Sequence, residues 1–153
     1  MTRKLKVQIL NPMLKTVDVP QTDESAAFDL RACIDEPITI YPNRKPVRIP
    51  FGIAIEGKNT KENPCVFLMF IRSSLGVKYG ITLANSVGVI DSDYRGEIMA
   101  GIVNLGDEPY TINPLDRIAQ LAIFPIDKPD IFITSHLSNT LRGTGGFGST
   151  GKN

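Results

Sequence analysis

Asn85-Ser86-Val87-Gly88-Val89-Ile90-Asp91-Ser92-Asp93-Tyr94-Arg95-Gly96-Glu97 is the stretch from which the rest of the chain is read. Val87–Ile90 and Glu97–Val103 are short runs rich in β-branched side chains, and a polar segment with Gly96 lies between them. Runs of this length and composition, bounded by turn formers, read as strands, and the pair with its polar turn reads as a hairpin. Asp91 stands at the rim of that hairpin, where a carboxylate can act as a general base on water. Asn85 carries the paired donor and acceptor that match an amide-like base edge. Tyr94 can stack on a sugar or cover the core, and Asp93 and Glu97 equally suit solvated turn acids. Residue by residue, the structural reading of this segment is as good as the functional one.

The same grammar extends in both directions. Strand candidates are Lys4–Ile9, Phe28–Ala32, Ile38–Tyr41, Val47–Glu56, Cys65–Ile71, Ile81–Leu83, Tyr110–Ile112, Ile118–Phe124 and Ile131–Thr134, punctuated by Pro, Gly, Asn and Asp. Long amphipathic periodicity is missing. The single helical candidate is Ser73–Tyr79, with Ser73 or Ser74 placed to cap its first turn. Many short strands with frequent turns predict an all-β sandwich or jelly roll.

The bulk figures allow this and exclude other classes. The 153 residues fit one ordinary domain, with 42% hydrophobic and 22% charged side chains. Seventeen basic and sixteen acidic residues leave a net charge of +1, so no global field draws nucleic acid. Cys33 and Cys65 sit in apolar surroundings and read as buried free thiols. With His136 the sole histidine, a zinc site is not expected. No signal peptide or membrane span is visible, and the expected location is the cytoplasm, or a host's cytoplasm if the source is viral.

The C-terminal end is of another kind. Residues 1–137 read as a β-barrel domain and 138–153 as a polar, Gly-rich, flexible arm. The arm holds Arg142-Gly143-Thr144-Gly145-Gly146-Phe147-Gly148-Ser149-Thr150-Gly151. Its glycines let backbone N–H groups approach phosphate oxygens, Arg142 offers a bidentate fork, and Ser149 and Thr150 add hydroxyls. Phe147 offers a ring face to a base. A disordered Gly/Ser tail fits the same residues, and spacing does not separate the two readings.

Two further groups carry chemistry. Arg72-Ser73-Ser74 opens the helical candidate, where N–H groups, a hydroxyl and a guanidinium would suit an anion; a surface Arg beside an ordinary cap is the alternative. Asp29 lies in the apolar run Ala26–Leu30, where a carboxylate needs a partner or a cation unless it sits at a strand edge. Arg117 and Gln120 alternate with apolar residues and read as surface positions.

Taken together and in order, these segments resemble the five motifs of the trimeric dUTP diphosphatase (dUTPase) family. Ala26–Ala32 is similar to the first, Arg72–Ile81 to the second, Asn85–Glu97 to the third, Asp116–Leu121 to the fourth and Arg142–Gly151 to the fifth. The match spans nearly the whole chain, and five motifs in sequence are far more specific than any one. The resemblance implies a jelly-roll-like β barrel of the dUTPase-like β-clip kind. It implies a homotrimer with sites shared between subunits, and hydrolysis of dUTP to dUMP and pyrophosphate with Mg²⁺. Asp91 would activate the attacking water. Tyr94 would pack on deoxyribose, Asn85 and Gly88 would read uracil, and Met99 would border a pocket too narrow for the thymine methyl. Arg72, Ser73, Ser74 and Gln120 would hold phosphates, and Asp29 would reach metal-bound water. Arg142, Gly146, Gly148, Ser149 and Thr150 would close over the phosphate end while Phe147 stacks on the base. No direct nucleic-acid or membrane binding is implied, and a regulatory protein partner is left open.

The chain departs from the family pattern at Ile71 and Ser74, where Pro and Gly are usual, and at Ala27, where Gly is usual. Arg-Ser-Ser-Leu at 72–75 also resembles dCTP deaminases, relatives on the same fold. The position of their deaminating glutamate falls here on Gly101, which has no carboxylate. A nucleotide-sensing switch that binds a protein partner is the other alternative.

Overall fold

The short apolar runs become strands because each presents one face to a common core and is closed off by a turn former. The computed structural model describes residues 4–20, 22–57 and 64–146. Among them are the strands β1 (Leu5–Ile9), β2 (Phe28–Arg31), β3 (Ile38–Ile40), β4 (Val47–Pro50), β5 (Ile53–Gly57) and β6 (Cys65–Ile71). After these come the helix α1 (Ser73–Tyr79), then β7 (Ile81–Leu83), β8 (Gly88–Asp91), β9 (Met99–Asn104), β10 (Tyr110–Ile112) and β11 (Arg117–Pro125). The described residues are therefore nearly all-β with one short helix.

Four small sheets enclose the core, in the orders β1-β5, β10-β3, β2-β11-β6-β8 and β4-β9-β7, and every strand pair is antiparallel. The inward faces supply Phe51, Phe67, Ile49, Ile81, Ile102 and Ile112, each almost wholly buried. Burying one such side chain contributes about 1.5–3 kcal/mol. Cys33 and Cys65 are buried free thiols in this core, and burial pushes the Cys33 thiol up from its ordinary value. No helix among the described residues is long and apolar enough to cross a membrane.

Four expectations need correction. Val87–Ile90 and Glu97–Val103 do not form a hairpin: β8 pairs with β6, whereas β9 pairs with β4 and β7. The polar segment between them carries the chain from one sheet to another. Val47–Glu56 is two strands, broken where Phe51 turns inward and Gly52 takes φ 65°. A Cβ at Gly52 would stand 2.6 Å from the Cys33 sulfur, so both conformation and space require glycine there. Neither serine caps α1: the N-cap is Arg72, with no side-chain cap hydrogen bond. Finally, Ile131–Thr134 is not a strand. Ile131, Phe132 and Ile133 are about nine-tenths exposed, because an extended segment without a neighbouring strand has no ladder to join.

Asn104 at the end of β9 was not singled out from sequence, yet it is one of the few buried polar residues. Its amide nitrogen donates to the Ile40 and Glu108 carbonyls at 2.9 and 2.8 Å, and its oxygen accepts from Gly106 N–H at 2.8 Å. One side chain thus ties β3, β9 and the following loop. Asn104→Ala would leave these backbone groups unpaired, so a loss of about 2–4 kcal/mol is expected in urea unfolding.

Candidate active site

The residues with chemistry fall into two groups, and β6 separates them. Its register with β8 pairs Val66 with Asp91 and Met69 with Gly88. Arg72 follows the last residue of β6, Ile71, six residues on from Val66. At about 3.3 Å per strand residue, Asp91 and Arg72 lie about 20 Å apart along the strand. Direct catalytic contacts are about 3 Å, so within one chain Asp91 and Arg72 do not serve the same phosphate.

The first group forms a cleft of about 270 Å³ lined by Val89, Ile90, Asp91, Tyr94, Glu97, Ile98 and Met99. Its walls combine aliphatic side chains with the Tyr94 ring and the Glu97 carboxylate, and Asp91 is exposed at the rim. The segment Asp91–Ile98 is held from two sides. Tyr94 N–H donates to the Asp91 carbonyl, and Arg95 Nη1 donates to the Ser92 and Tyr94 carbonyls. Behind it, Glu97 Oε1 accepts Gly52 N–H at 2.9 Å, Ile98 N–H donates to Ile53, and Phe51 N–H donates to Ile98. Asp91, Tyr94 and Met99 therefore share one cleft, as the sequence implied. Asn85 does not line it; it is exposed in the turn before β8. Gly88 is buried, and a Cβ there would meet Met69 at 2.8 Å, so packing against β6 already demands glycine.

The second group lies at the other end of β6. A cleft of about 390 Å³ is lined by Asp18, Val19, Ser25, Ala26, Ala27, Asp29, Arg72, Ser73 and Gln120. Antiparallel pairing of β2 with β11 sets Asp29 opposite Gln120. Asp29 is the hub of this end: Oδ1 lies 3.3 Å from Arg72 Nε, and Oδ2 accepts from Arg117 Nη1 at 3.1 Å. β2 is the edge of its sheet, as one reading of Asp29 required, and the carboxylate is also partnered by cations. Arg117, read as a surface residue, is thus tied to the Asp29 carboxylate at this end; the signal was its place in a strand alternating with Gln120. Arg31 is held by Asp18 through two hydrogen bonds, of 2.7 and 3.0 Å, which raise its pKa further. Ser74 faces elsewhere, into a neighbouring groove with Arg31, Lys78 and Tyr110.

Arg142 joins neither cleft. Its Nε donates to Gly145 O within a local turn, and Gly143 takes φ 53° there. Gly146 is partly exposed, and a Cβ at that position would meet nothing within 4 Å. Phe147, Gly148, Ser149 and Thr150 lie outside the described residues. His136 is an exposed loop residue bonded to Ser135, with no place in either cleft.

Fold and clefts define a class: a small all-β protein with one cleft that carries a tyrosine and carboxylates and, apart from it, a second cleft that carries guanidinium, hydroxyl and amide groups. The sequence model of the dUTPase family matches residues 15–151, and the chain belongs to that family. A deoxyuridine 5'-triphosphate nucleotidohydrolase of Albidiferax ferrireducens is 43% identical over 150 residues, covering 97% of this chain and 98% of that protein. One from Coxiella burnetii is 44% identical and covers all of both chains. Among solved structures, a variant of the Staphylococcus bacteriophage 80alpha dUTPase with dUpNHpp superposes with a TM-score of 0.81 at 22% identity, covering 97% of this chain and 98% of that one. A variant dUTPase of phage phi11 of S. aureus, described with a structural Mg(II) ion, gives 0.75 at 20% identity, covering 89% and 99%. These likenesses give the fold as the jelly-roll-like barrel of the family.

Breaking the carboxylate hub tests its reading. Asp29→Asn removes the charge between Arg72 and Arg117, and a loss of about 1 kcal/mol is expected, measured by urea unfolding.

Proposed function

We propose that this protein hydrolyses dUTP to dUMP and pyrophosphate, in a site assembled from more than one copy of the chain. The observation that carries the shared site is the separation of Asp91 from Arg72 along β6. The substrate reading rests on family membership and on relatives of similar length named as deoxyuridine 5'-triphosphate nucleotidohydrolases.

In this reading the aromatic cleft takes the nucleoside. Tyr94 lies along the deoxyribose, and Met99 narrows the end that holds the base. Asn85 and the backbone around Gly88 read uracil from the neighbouring turn. Asp91 orients a water for in-line attack on the α-phosphorus and accepts its proton. The attacked P–O bond to the β-phosphate breaks, and pyrophosphate leaves.

The cationic cleft of another copy takes the phosphates. Arg72, Ser73 and Gln120 line it and donate to phosphate oxygens. Ser74 supplies a hydroxyl from the adjoining groove. Asp29 and Arg117 hold Arg72 in place by the ion pairs described above. Positioning and charge neutralisation are the larger part of such catalysis, which is why a rigid cationic pocket suffices on this side.

Mg²⁺ fits this donor set as an ion carried on the substrate. Among the described residues no three His, Cys, Asp or Glu side chains cluster as a cage. A hard ion that keeps its waters suits triphosphate oxygens, and Asp29 would be the residue to hold one of those waters. When bound, Mg²⁺ supplies charge neutralisation on the phosphates.

Residues 138–153 form an arm over the site, with Arg142, Gly146, Gly148, Ser149 and Thr150 at the phosphates and Phe147 on the base. A homotrimer of cytoplasmic location completes the reading. The exposed apolar side chains Ile131, Phe132, Ile133 and Leu137, between β11 and the arm, support the assembly, since such a run is rarely left in water.

The test is a substrate panel of dUTP, dCTP, dTTP and UTP with Mg²⁺, reading pyrophosphate and ammonia. Pyrophosphate from dUTP is expected, with little from the others and no ammonia. Asp91→Asn should lower kcat by about 10³-fold, as loss of a general base does. Chelation of Mg²⁺ should suppress turnover, and its return should restore it. Ammonia from dCTP, or no product from any nucleotide, would contradict the assignment.

A further inference from the structure

Gly96 sits beneath the Tyr94 ring. A Cβ built there would fall 2.5 Å from Tyr94 Cζ and 2.9 Å from Cε2, and closer still to the hydroxyl oxygen. Real Cβ atoms do not approach so closely, so a side chain at this position and the present ring position exclude one another. The backbone is not the obstacle: the positive-φ glycines among the described residues are Gly52, Gly80 and Gly143, and Gly96 is not one of them. An alanine can therefore adopt the Gly96 backbone, and something must move aside.

What moves follows from how each part is held. The floor beyond Gly96 is fixed, because Glu97 Oε1 accepts Gly52 N–H while Ile98 exchanges two backbone hydrogen bonds with Phe51 and Ile53. The Tyr94 side chain is about half exposed, and its hydroxyl donates to the Glu97 carbonyl at 3.1 Å. The ring yields and the floor does not.

We infer that Gly96 is a positioning residue for sugar selection: by having no side chain, it seats the Tyr94 ring against the cleft wall, where the ring closes the space beside the sugar's 2′ carbon. This rests on the proposed dUTP chemistry, since it gives Tyr94 a deoxyribose to pack on. The Gly96→Ala backbone stays intact, but the ring is pushed off its seat. The ring then no longer holds its place beside the 2′ carbon, and a 2′-hydroxyl is no longer excluded there. Even an apolar pocket that cannot strongly reject a hydroxyl isostere discriminates by about 10²-fold, so the ratio carries a measurable range.

The experiment measures kcat/KM for dUTP and UTP in wild type, Gly96→Ala, Tyr94→Ala and the double variant, with circular dichroism to confirm folding. Gly96→Ala is expected to lower the dUTP/UTP ratio by about tenfold or more. In the Tyr94→Ala background, where no ring remains to displace, the same substitution should change the ratio by less than about twofold. A folded Gly96→Ala protein with the wild-type ratio overturns the inference and leaves dUTP hydrolysis standing. An equal drop in both backgrounds also overturns it, because the effect would not pass through Tyr94. Wild type that turns over neither nucleotide removes the dUTP reading and this inference together.

Discussion

The structure depends on the length and register of one strand, β6. Antiparallel pairing fixes Asp91 opposite Val66 at one end, and Arg72 leaves the other end into the helix. No side-chain rotation closes a gap of about 20 Å, and shifting the register by one residue would turn Phe67 and Met69 from the core to the outside. The apolar alternation that folds the barrel is therefore the same feature that keeps Asp91 and Arg72 apart. In the proposed reading, association of chains joins them.

Around that ruler each half is stiffened by a different device. The aromatic cleft is clamped to the bend between β4 and β5 by Glu97, whose carboxylate accepts the Gly52 N–H, and by the backbone of Ile98. The cationic cleft is set by Asp29, placed across from Gln120 by strand pairing and bridging Arg72 with Arg117. A guanidinium fixed in advance loses less freedom on meeting a phosphate than one free in solvent. Both devices use a carboxylate for positioning, whereas Asp91 is left exposed at a rim.

Most strands were legible because two-residue alternation and turn formers are local. What failed was pairing and context. The apparent hairpin at 87–103 splits between two sheets because β8 and β9 each find their partners far along the chain, which local pattern does not encode. Gly52 hid a break inside a continuous apolar run, since its positive φ answers to Cys33 and Asn11 across the core. Ile131–Thr134 has the composition of a strand but no neighbour in this chain. Asp91, Tyr94 and Met99 line one cleft, and Asp29, Arg72, Ser73 and Gln120 line another, so the residues singled out from sequence gather in two places. Arg117 was missed because its partner is the carboxylate across the sheet, and Asn104 because its partners lie on β3 and in the loop after β9.

The central claim is that Asp91 of one copy works with Arg72 of another, and subunit complementation tests it most directly. Asp91→Asn and Arg72→Ala proteins, each inactive alone, are unfolded together, refolded as mixed assemblies and assayed for pyrophosphate release from dUTP. Random mixing places an intact Asp91 beside an intact Arg72 from a different copy in about a quarter of sites, so about a quarter of wild-type activity should return. Mixed assemblies that form, as shown by a mass tag on one variant, but remain inactive would contradict the shared site.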